Sequence, residues 1–284
     1  MGRAKEIIVK VIPAKIAVPF VKAHHYSGKV VNNSSLHFGA FLDGKLHGVL
    51  SYGPSMDKRK VMTLVEGTQW DGVLELNRMA FDDYLPKNSE SYCIAKTLRM
   101  IRKQAPQVKW VISFADGAQC GDGTIYRASN FILTGIKENK TILEFPTGER
   151  IAAMSLEIGV QNTQIRDLCR HMGVEWKYRT RHEWIALGAK FIPGFQLRYI
   201  YFIDPKWRKR LTVPEIPFSK IDEMGAGMYK GENVSRESRH EIKGEAQLER
   251  EAKKAAKYNP ITTQIVEQRT QETFGAARAE PNHV

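Results

Sequence analysis

Two segments of this sequence place reactive side chains beside predicted turns. His25 and Tyr26 end the first predicted helix, and Asp116 lies between a buried-type strand and a glycine-rich loop. A histidine can act as a general base, polarise a donor or bind a metal, and a carboxylate at a strand end can accept a proton from a substrate. Structural roles are the alternative, because histidine favours helix C-termini and aspartate favours turns. Asp122 is a rival carboxylate, but its spacing favours capping a helix at Thr124.

Three other residues are candidates for binding a donor group. Arg78 lies in an apolar strand, where a guanidinium needs a partner and can hold a carboxylate or phosphate through two hydrogen bonds. Asn88 and Ser91 open the following helix. The alternative for Arg78 is an outward-facing strand position, and for the other two it is a simple capping role.

Two clusters near the carboxyl half interleave cations with aromatic residues. Their cationic members are Lys177, Arg179, Arg181, Lys206, Arg208, Lys209 and Arg210. Such mixtures suit phosphate contacts combined with base stacking, although a solvated basic surface is the alternative. The formal net charge of +12 likewise favours a polyanionic partner. We therefore predict DNA as the partner.

Cysteine and hydropathy patterns exclude several classes of protein. Three cysteines are too few for a disulfide framework and fit reduced thiols in a cytoplasm. The histidines and cysteines lack recognisable metal-ligand spacing, so a metal requirement stays open. No uncharged apolar run approaches the ~20 residues that a membrane helix needs, and the first ten residues do not read as a signal peptide. We expect no membrane partner, and nothing in the sequence predicts an oligomeric state.

An alternation of predicted strands and helices must position these residues. The predicted order is β-α-β-β-β-α-β-α-β-β, followed by helices and a last strand at residues 195–203. Asp43-Gly44 predicts a tight hairpin between residues 36–42 and 46–52, and a second hairpin is predicted around Glu138-Asn139. This pattern predicts an α/β fold with a mixed central sheet flanked by helices. Large apolar residues become rare after Phe218, so we predict a catalytic domain over residues 1–218 and a flexible charged tail over residues 219–284.

Two of the segments resemble the GNAT acyltransferase fold. Residues 38–46 (FGAFLDGKL) are similar to its central hairpin, and residues 123–131 (GTIYRASNF) are similar to its second helix. In GNAT enzymes the tyrosine that matches Tyr126 protonates the departing thiolate, which a phenol can do because its acidity lies near that of a thiol. The resemblance therefore implies that Tyr126 is catalytic, as an acid or as a hydrogen-bond donor to an oxyanion. A packed aromatic on a helix face is the alternative.

Longer segments resemble the Mom family of phage DNA-modification proteins. They are residues 24–27 (HHYS), 76–103 (LNRMAFDDYLPKNSESYCIAKTLRMIRK), 113–136 (SFADGAQCGDGTIYRASNFILTGI) and 194–211 (GFQLRYIYFIDPKWRKRL). The resemblance covers residues 20–212 and implies conversion of the exocyclic amine of adenine in DNA to a carbamoylmethyl (acetamido) form. That change shields phage DNA from host restriction nucleases, and it implies action in the cytoplasm of a bacterial host. Asp116 or His25 would take the amine proton.

The donor is not identified by the resemblance. GNAT enzymes hold the pyrophosphate of coenzyme A with a glycine-rich R/Q-x-x-G-x-G loop. The matching segment here, residues 85–91 (LPKNSES), keeps a helix N-terminus that attracts anions but has no glycine and adds Glu90. The sequence therefore predicts an acyl-type donor. Acetyl-coenzyme A is one candidate, although this protein lacks the glycine-rich loop that usually binds it.

Two other functions compete with DNA modification. A GNAT N-acetyltransferase acting on a protein or small molecule would bind acetyl-coenzyme A and leave DNA unchanged. A non-catalytic DNA-binding phage protein would tolerate the loss of Tyr126 and Asp116.

Overall fold

The computed structural model describes residues 3–25, 27–117, 121–138, 142–157, 163–229 and 232–233. Tyr26, a candidate catalytic residue, lies outside the described residues, as does most of the predicted tail, from residue 234 onward.

Twelve strands occur in the described residues. In chain order they are β1 (Ile8–Val11), β2 (Leu36–Leu42), β3 (Lys45–Gly53), β4 (Val73–Phe81), β5 (Trp110–Asp116), β6 (Ile132–Glu138), β7 (Ile142–Glu144), β8 (Arg150–Ala152), β9 (Lys190–Phe191), β10 (Phe195–Phe202), β11 (Met228–Tyr229) and β12 (Glu232–Asn233). Seven of them form a central sheet in the order β1-β2-β3-β4-β5-β10-β6. Its neighbouring strands are antiparallel except β4 and β5, which are parallel.

Helices cover both sides of this sheet. They are α1 (Ala14–His24), α2 (Lys58–Met62), α3 (Ser89–Gln104), α4 (Thr124–Ala128), α5 (Ala153–Glu157), α6 (Thr163–His171), α7 (Arg181–Ala186) and α8 (Ser219–Glu223), with 3-10 helices at Arg3–Glu6 and Pro205–Arg210. Helix α3 packs in one core with Val111 of β5, whereas α2 packs in another with Ile112. Adjacent strand residues point to opposite sides, so we call the side of α3 and α4 the α3 face and the side of α1 and α2 the α1 face. The predicted mixed α/β sheet flanked by helices is confirmed.

Local sequence signals explain the central hairpin and the longest helix. Asp43 and Gly44 have φ angles of 50° and 76°, which suit the tight turn between β2 and β3. The apolar stripe Ile94, Leu98 and Ile101 is buried and fixes α3 against the sheet. These elements therefore follow from residues close together in the chain.

The second predicted hairpin is wrong. Strand β6 pairs with β10 in the central sheet, whereas β7 joins β8 and β9 in a separate three-stranded sheet. Residues 142–157 and 163–192 form an inserted subdomain with its own core, which includes Leu143, Leu168 and Trp184. Long-range pairing with β10 thus determines the position of β6, and the local turn does not.

The packed part of the chain extends past the boundary predicted at Phe218. Ile221 and Ala226 are fully buried in the main core, and Met228 packs against Gly117, where a Cβ atom would lie 2.9 Å from the Met228 Cβ. Helix α8 therefore belongs to the folded domain.

Truncation should separate this packed segment from the rest of the predicted tail. A chain ending at Phe218 loses the buried Ile221, and we expect its free energy of unfolding to fall by about 2 kcal/mol or more. A chain ending at Asn233 keeps that residue and is the control. Denaturant unfolding of both variants and of the full chain measures the difference. Equal stability of all three chains would show that α8 adds nothing to the fold.

Candidate active site

The central sheet opens between the carboxyl halves of β4 and β5. Their parallel pairing joins residues 73–75 to residues 110–112, and beyond it β4 pairs with β3 while β5 pairs with β10. The Ser113 hydroxyl donates to the Leu76 carbonyl over 2.9 Å where the opening begins. Ligands of α/β proteins commonly bind beyond the carboxyl ends of strands at such a discontinuity. The residues around this opening are therefore the candidate site.

His25 follows α1 and is held by the turn after it. Its Nδ1 lies 2.8 Å from the Ser27 hydroxyl and accepts the Ser27 backbone N–H over 3.2 Å. Burial lowers the pKa of His25 to about 4, and the nearby positive charge of Arg78 contributes to this decrease. The imidazole is consequently neutral at physiological pH.

A β-bulge in β4 orients Asn77 and Arg78. The register with β3 shifts between Ser51 and Tyr52, so that Asn77 is the additional residue. The Arg78 guanidinium donates from Nε to the Lys29 carbonyl over 3.0 Å and from Nη1 to the Asn77 carbonyl over 2.7 Å. These bonds fix the charged group beside His25.

Asn77 is a site residue that the sequence did not reveal. The residue is 9% exposed, and its Oδ1 accepts a 2.8 Å hydrogen bond from the Ser34 hydroxyl. Within the described part of the chain its Nδ2 has no hydrogen-bond partner. Buried donors are normally paired, so this amide is available to a ligand acceptor. A bulge leaves no strong local sequence signal, which is why periodicity gives no warning of it.

Asp116 is the last residue of β5, on the other side of the opening from Arg78. It is half-buried and pairs in register with Gln196 of β10. Strand alternation puts it on the α1 face with Ile112 and Phe114. Arg78 lies two residues before Ala80, which packs with α1, and so has the same orientation. Asp116, Arg78 and His25 therefore all belong to the α1 face of the sheet.

Tyr126 belongs to the α3 face. Its ring centroid lies 5.3 Å from that of Tyr199 and 5.5 Å from that of Phe131. Burial raises the pKa of Tyr52 in β3, and the proximity of Tyr126 adds to this rise. The phenol is therefore packed among aromatic rings on the opposite side of the sheet from His25.

The helix that carries Tyr126 is held tightly at its start. Gly123 has a φ of 75°, and a Cβ atom there would lie 2.5 Å from the Tyr199 ring. The Tyr199 hydroxyl donates to the Asp122 carbonyl over 2.5 Å. The buried Asp122 carboxylate accepts from Thr124 over 2.8 Å and from Arg127 over 2.6 Å. Asp122 thus anchors α4 through bonds to side chains, whereas the N-cap position that the sequence assigned to it is occupied by Gly123.

The three donor-binding candidates lie on different faces. Asn88 and Ser91 line a groove of about 580 Å³ on the α3 face, whose lining also includes Lys5, Lys87 and Arg99. The Ser91 hydroxyl donates to the Asn88 carbonyl over 3.2 Å. Arg78 is not among the groove residues and lies on the α1 face instead. The groove has three cations near it, which suits an anionic ligand.

The cationic clusters are only partly exposed. Lys177 and Arg181 are exposed on the inserted subdomain, and Lys206, Lys209 and Arg210 are exposed on the 3-10 helix after β10. Arg208 is held by Glu215 through both carboxylate oxygens. Arg179 differs from the expectation, because it is 8% exposed and its guanidinium lies 5.1 Å from the centroid of the Trp184 ring. Its packing role removes it from the predicted DNA surface.

Lys29 connects the inserted subdomain to the site. Its ammonium donates to the Ser155 hydroxyl over 3.0 Å and to Gln164 over 3.2 Å, while its carbonyl accepts from Arg78.

The described residues include no cluster of three His, Cys, Asp or Glu side chains arranged to hold a metal. Among the helices in these same ranges, none is long and apolar enough to cross a membrane.

These features define a mixed α/β protein with reactive side chains on both faces of an opening in its sheet. The sequence matches the Mom protein family over residues 6–220. It is 36% identical over 210 residues to "Methylcarbamoylase mom" of Escherichia phage Mu. The matched region covers 74% of this chain and 80% of that protein. The chain therefore belongs to the Mom protein family.

Solved acetyltransferase structures resemble the chain distantly. The IAA acetyltransferase from Bacillus cereus is 9% identical, with 69% of this chain and 99% of that chain covered and a TM-score of 0.36. An N-acetyltransferase from Staphylococcus aureus is 8% identical, with 69% and 98% covered and a TM-score of 0.39.

Proposed function

We propose that this protein modifies DNA by converting the exocyclic amine of adenine to a carbamoylmethyl (acetamido) form, which protects phage DNA from host restriction in the bacterial cytoplasm. The observation that carries the proposal, in a chain of the Mom family, is that Asp116 lies at the opening on the α1 face while Tyr126 packs on the α3 face against Tyr199, which pairs with Ser113 where the opening begins. Such an arrangement lets the donor approach from the α3 face and the adenine from the α1 face.

The chemistry explains why both faces are needed. The adenine amine is a poor nucleophile because its lone pair is delocalised into the ring, and its edge is stacked inside the duplex. The adenine must therefore leave the base stack before its amine can reach Asp116. We assign the α1 face to DNA, because the exposed 3-10 helix Pro205–Arg210 packs through Trp207 into the core on that face.

Proton transfer in the proposed reaction is divided between two residues. The amine nitrogen forms a bond to the methylene carbon of the carbamoylmethyl group as the bond between that carbon and its carrier breaks. Asp116 accepts the amine proton, and Tyr126 donates a proton to the departing atom of the carrier. His25 is less suited to be the base, because its Nδ1 already accepts the Ser27 N–H, which assigns the proton to Nε2. It serves instead as a hydrogen-bond donor.

Asn77 completes the proposed contacts with the base. Its buried Nδ2 can donate to a ring nitrogen of adenine, and asparagine is a common partner for the edge of this base. Arg78 adds a fixed positive charge nearby that can bind a phosphate or the carbonyl of the donor. We place the donor, a carrier that releases a carbamoylmethyl group, in the groove of Asn88 and Ser91 on the α3 face.

Mass spectrometry of nucleosides tests the proposal directly. DNA from cells that express the protein should yield a deoxyadenosine heavier by one carbamoylmethyl substituent. Cells that express the Asp116→Asn variant at the same level are the matched control. Unmodified deoxyadenosine from cells with folded wild-type protein would contradict the proposal. Binding of acetyl-coenzyme A without any change in DNA would favour an N-acetyltransferase.

A further inference from the structure

An exposed tryptophan lies beside a cavity that the proposed reaction does not use. Trp70 is 61% exposed, and the Lys58 ammonium lies 4.3 Å from the centroid of its ring. The cavity is about 790 Å³, and its lining includes Trp70, Arg59, Thr63 and Thr212. Large exposed aromatic side chains beside cations are typical of surfaces that bind nucleic acid.

The cavity is built from two segments that are far apart in the chain. Val65 forms an isolated bridge with Leu211, and the Thr212 backbone donates to the Leu64 carbonyl over 3.0 Å. The Glu66 N–H donates to the Arg210 carbonyl over 2.8 Å. These bonds hold the loop of Trp70 against the basic 3-10 helix Pro205–Arg210, so the two form one continuous surface.

This surface lies on the α1 face, some distance from the site. The Trp110 indole donates to the Thr68 hydroxyl over 3.0 Å, which fixes the loop at the start of β5. Asp116 ends the same strand, and six residues of a strand span about 20 Å. That distance corresponds to roughly six nucleotides at 3.4 Å each. A DNA strand that reaches Asp116 can therefore also reach Trp70.

We propose that Trp70, Arg59 and the cavity between them form a second DNA-binding subsite, which holds the strand that flanks the target adenine. Trp70 stacks on an unpaired base, and Arg59 and Arg210 contact phosphates. The inference rests on the proposed function because it takes DNA as the substrate.

The surface also contains acidic groups, which oppose its attraction for the phosphates of DNA. Glu66 lines the cavity, and Asp71 attracts the Lys58 ammonium. Asp57 caps the start of α2, where its carboxylate accepts a hydrogen bond from the Lys60 N–H. Because cations and carboxylates are mixed here, stacking on Trp70 must supply most of the affinity. The subsite should therefore prefer single-stranded DNA, whose bases are accessible, to duplex DNA.

Fluorescence anisotropy with a labelled single-stranded oligonucleotide and the matching duplex tests this subsite. Trp70→Ala should weaken binding of the single strand by roughly tenfold, and Trp70→Phe should restore part of it. Arg59→Ala should lower the slope of log affinity against log salt by about 1. Lys10→Ala is the control, because the Lys10 ammonium also lies 4.3 Å from an aromatic centroid, that of Phe41, but on the far edge strand β1.

Each outcome bears on the inference separately from the proposed function. Wild-type affinity in Trp70→Ala, an equal loss in Lys10→Ala, or no measurable binding by the wild-type protein would overturn the subsite. Nucleoside mass spectrometry of the same wild-type protein reports the proposed reaction independently. A protein that modifies adenine but binds normally without Trp70 refutes the subsite alone. A protein that binds through Trp70 but leaves adenine unmodified refutes the proposed function alone.

Discussion

Replacement of Tyr126 by phenylalanine is expected to slow adenine modification by ~10²–10⁴-fold while the fold and DNA affinity stay near wild type. The substitution removes one hydroxyl and keeps the ring that packs against Tyr199 and Phe131. If the phenol donates a proton to the departing group, its loss removes a contact that forms only in the transition state. Modified adenine per enzyme molecule is the measurement.

The matched control for this prediction is Tyr84→Phe. Tyr84 also stacks on an aromatic ring, with its centroid 4.2 Å from that of His47, but it lies outside α4 and outside the groove of Asn88 and Ser91. Its variant should modify adenine at the wild-type rate, and melting temperatures of both variants check the packing. Near-wild-type modification by Tyr126→Phe would exclude the residue from proton transfer and leave it as a packed aromatic residue.

The second large effect is expected from Asp116→Asn, which keeps the shape of the side chain and removes its charge. If Asp116 takes the amine proton, the rate should fall by ~10²–10⁴-fold. The partner variant His25→Gln keeps an N–H donor in place of the imidazole Nε2–H and should retain more activity. The opposite order, with His25→Gln the more damaging change, would make the imidazole the base.

The pKa of His25 provides an independent measurement. Burial and the charge of Arg78 lower it to about 4, so the imidazole should stay neutral as the pH falls from 8 to 5. Its NMR signal, assigned by comparison with His25→Gln, should titrate with a midpoint near pH 4. Arg78→Met removes a nearby positive charge and should raise this pKa. A wild-type titration near 6.5 would contradict the buried position of the ring.

Candidate residues could be recognised one at a time from the sequence, but their grouping could not. Tyr126 and Asp116 each lie beside a turn signal that is visible in the chain. Nothing local shows that they lie on opposite faces of the sheet, because a face is defined by how strands pair and alternate. The bulge that orients Asn77 and Arg78 depends likewise on the register between β4 and β3.

The sequence likewise could not predict which polar groups are buried. Arg179 looks like a surface cation within a basic segment, yet it packs over Trp184 in the core of the inserted subdomain. Glu75 occupies a strand position that alternation allows to face solvent, yet burial raises the pKa of its carboxyl group. Neighbours distant in the chain decide both outcomes.

The sequence by itself determined the elements whose causes are local. Positive φ angles at Asp43 and Gly44 set the central hairpin, and the stripe Ile94, Leu98 and Ile101 set the buried side of α3. The tertiary structure alone decided that β6 pairs with β10, and that β4 and β5 separate at the candidate site. Turn preferences and apolar periodicity act over a few residues, whereas strand partners depend on packing between residues far apart in the chain.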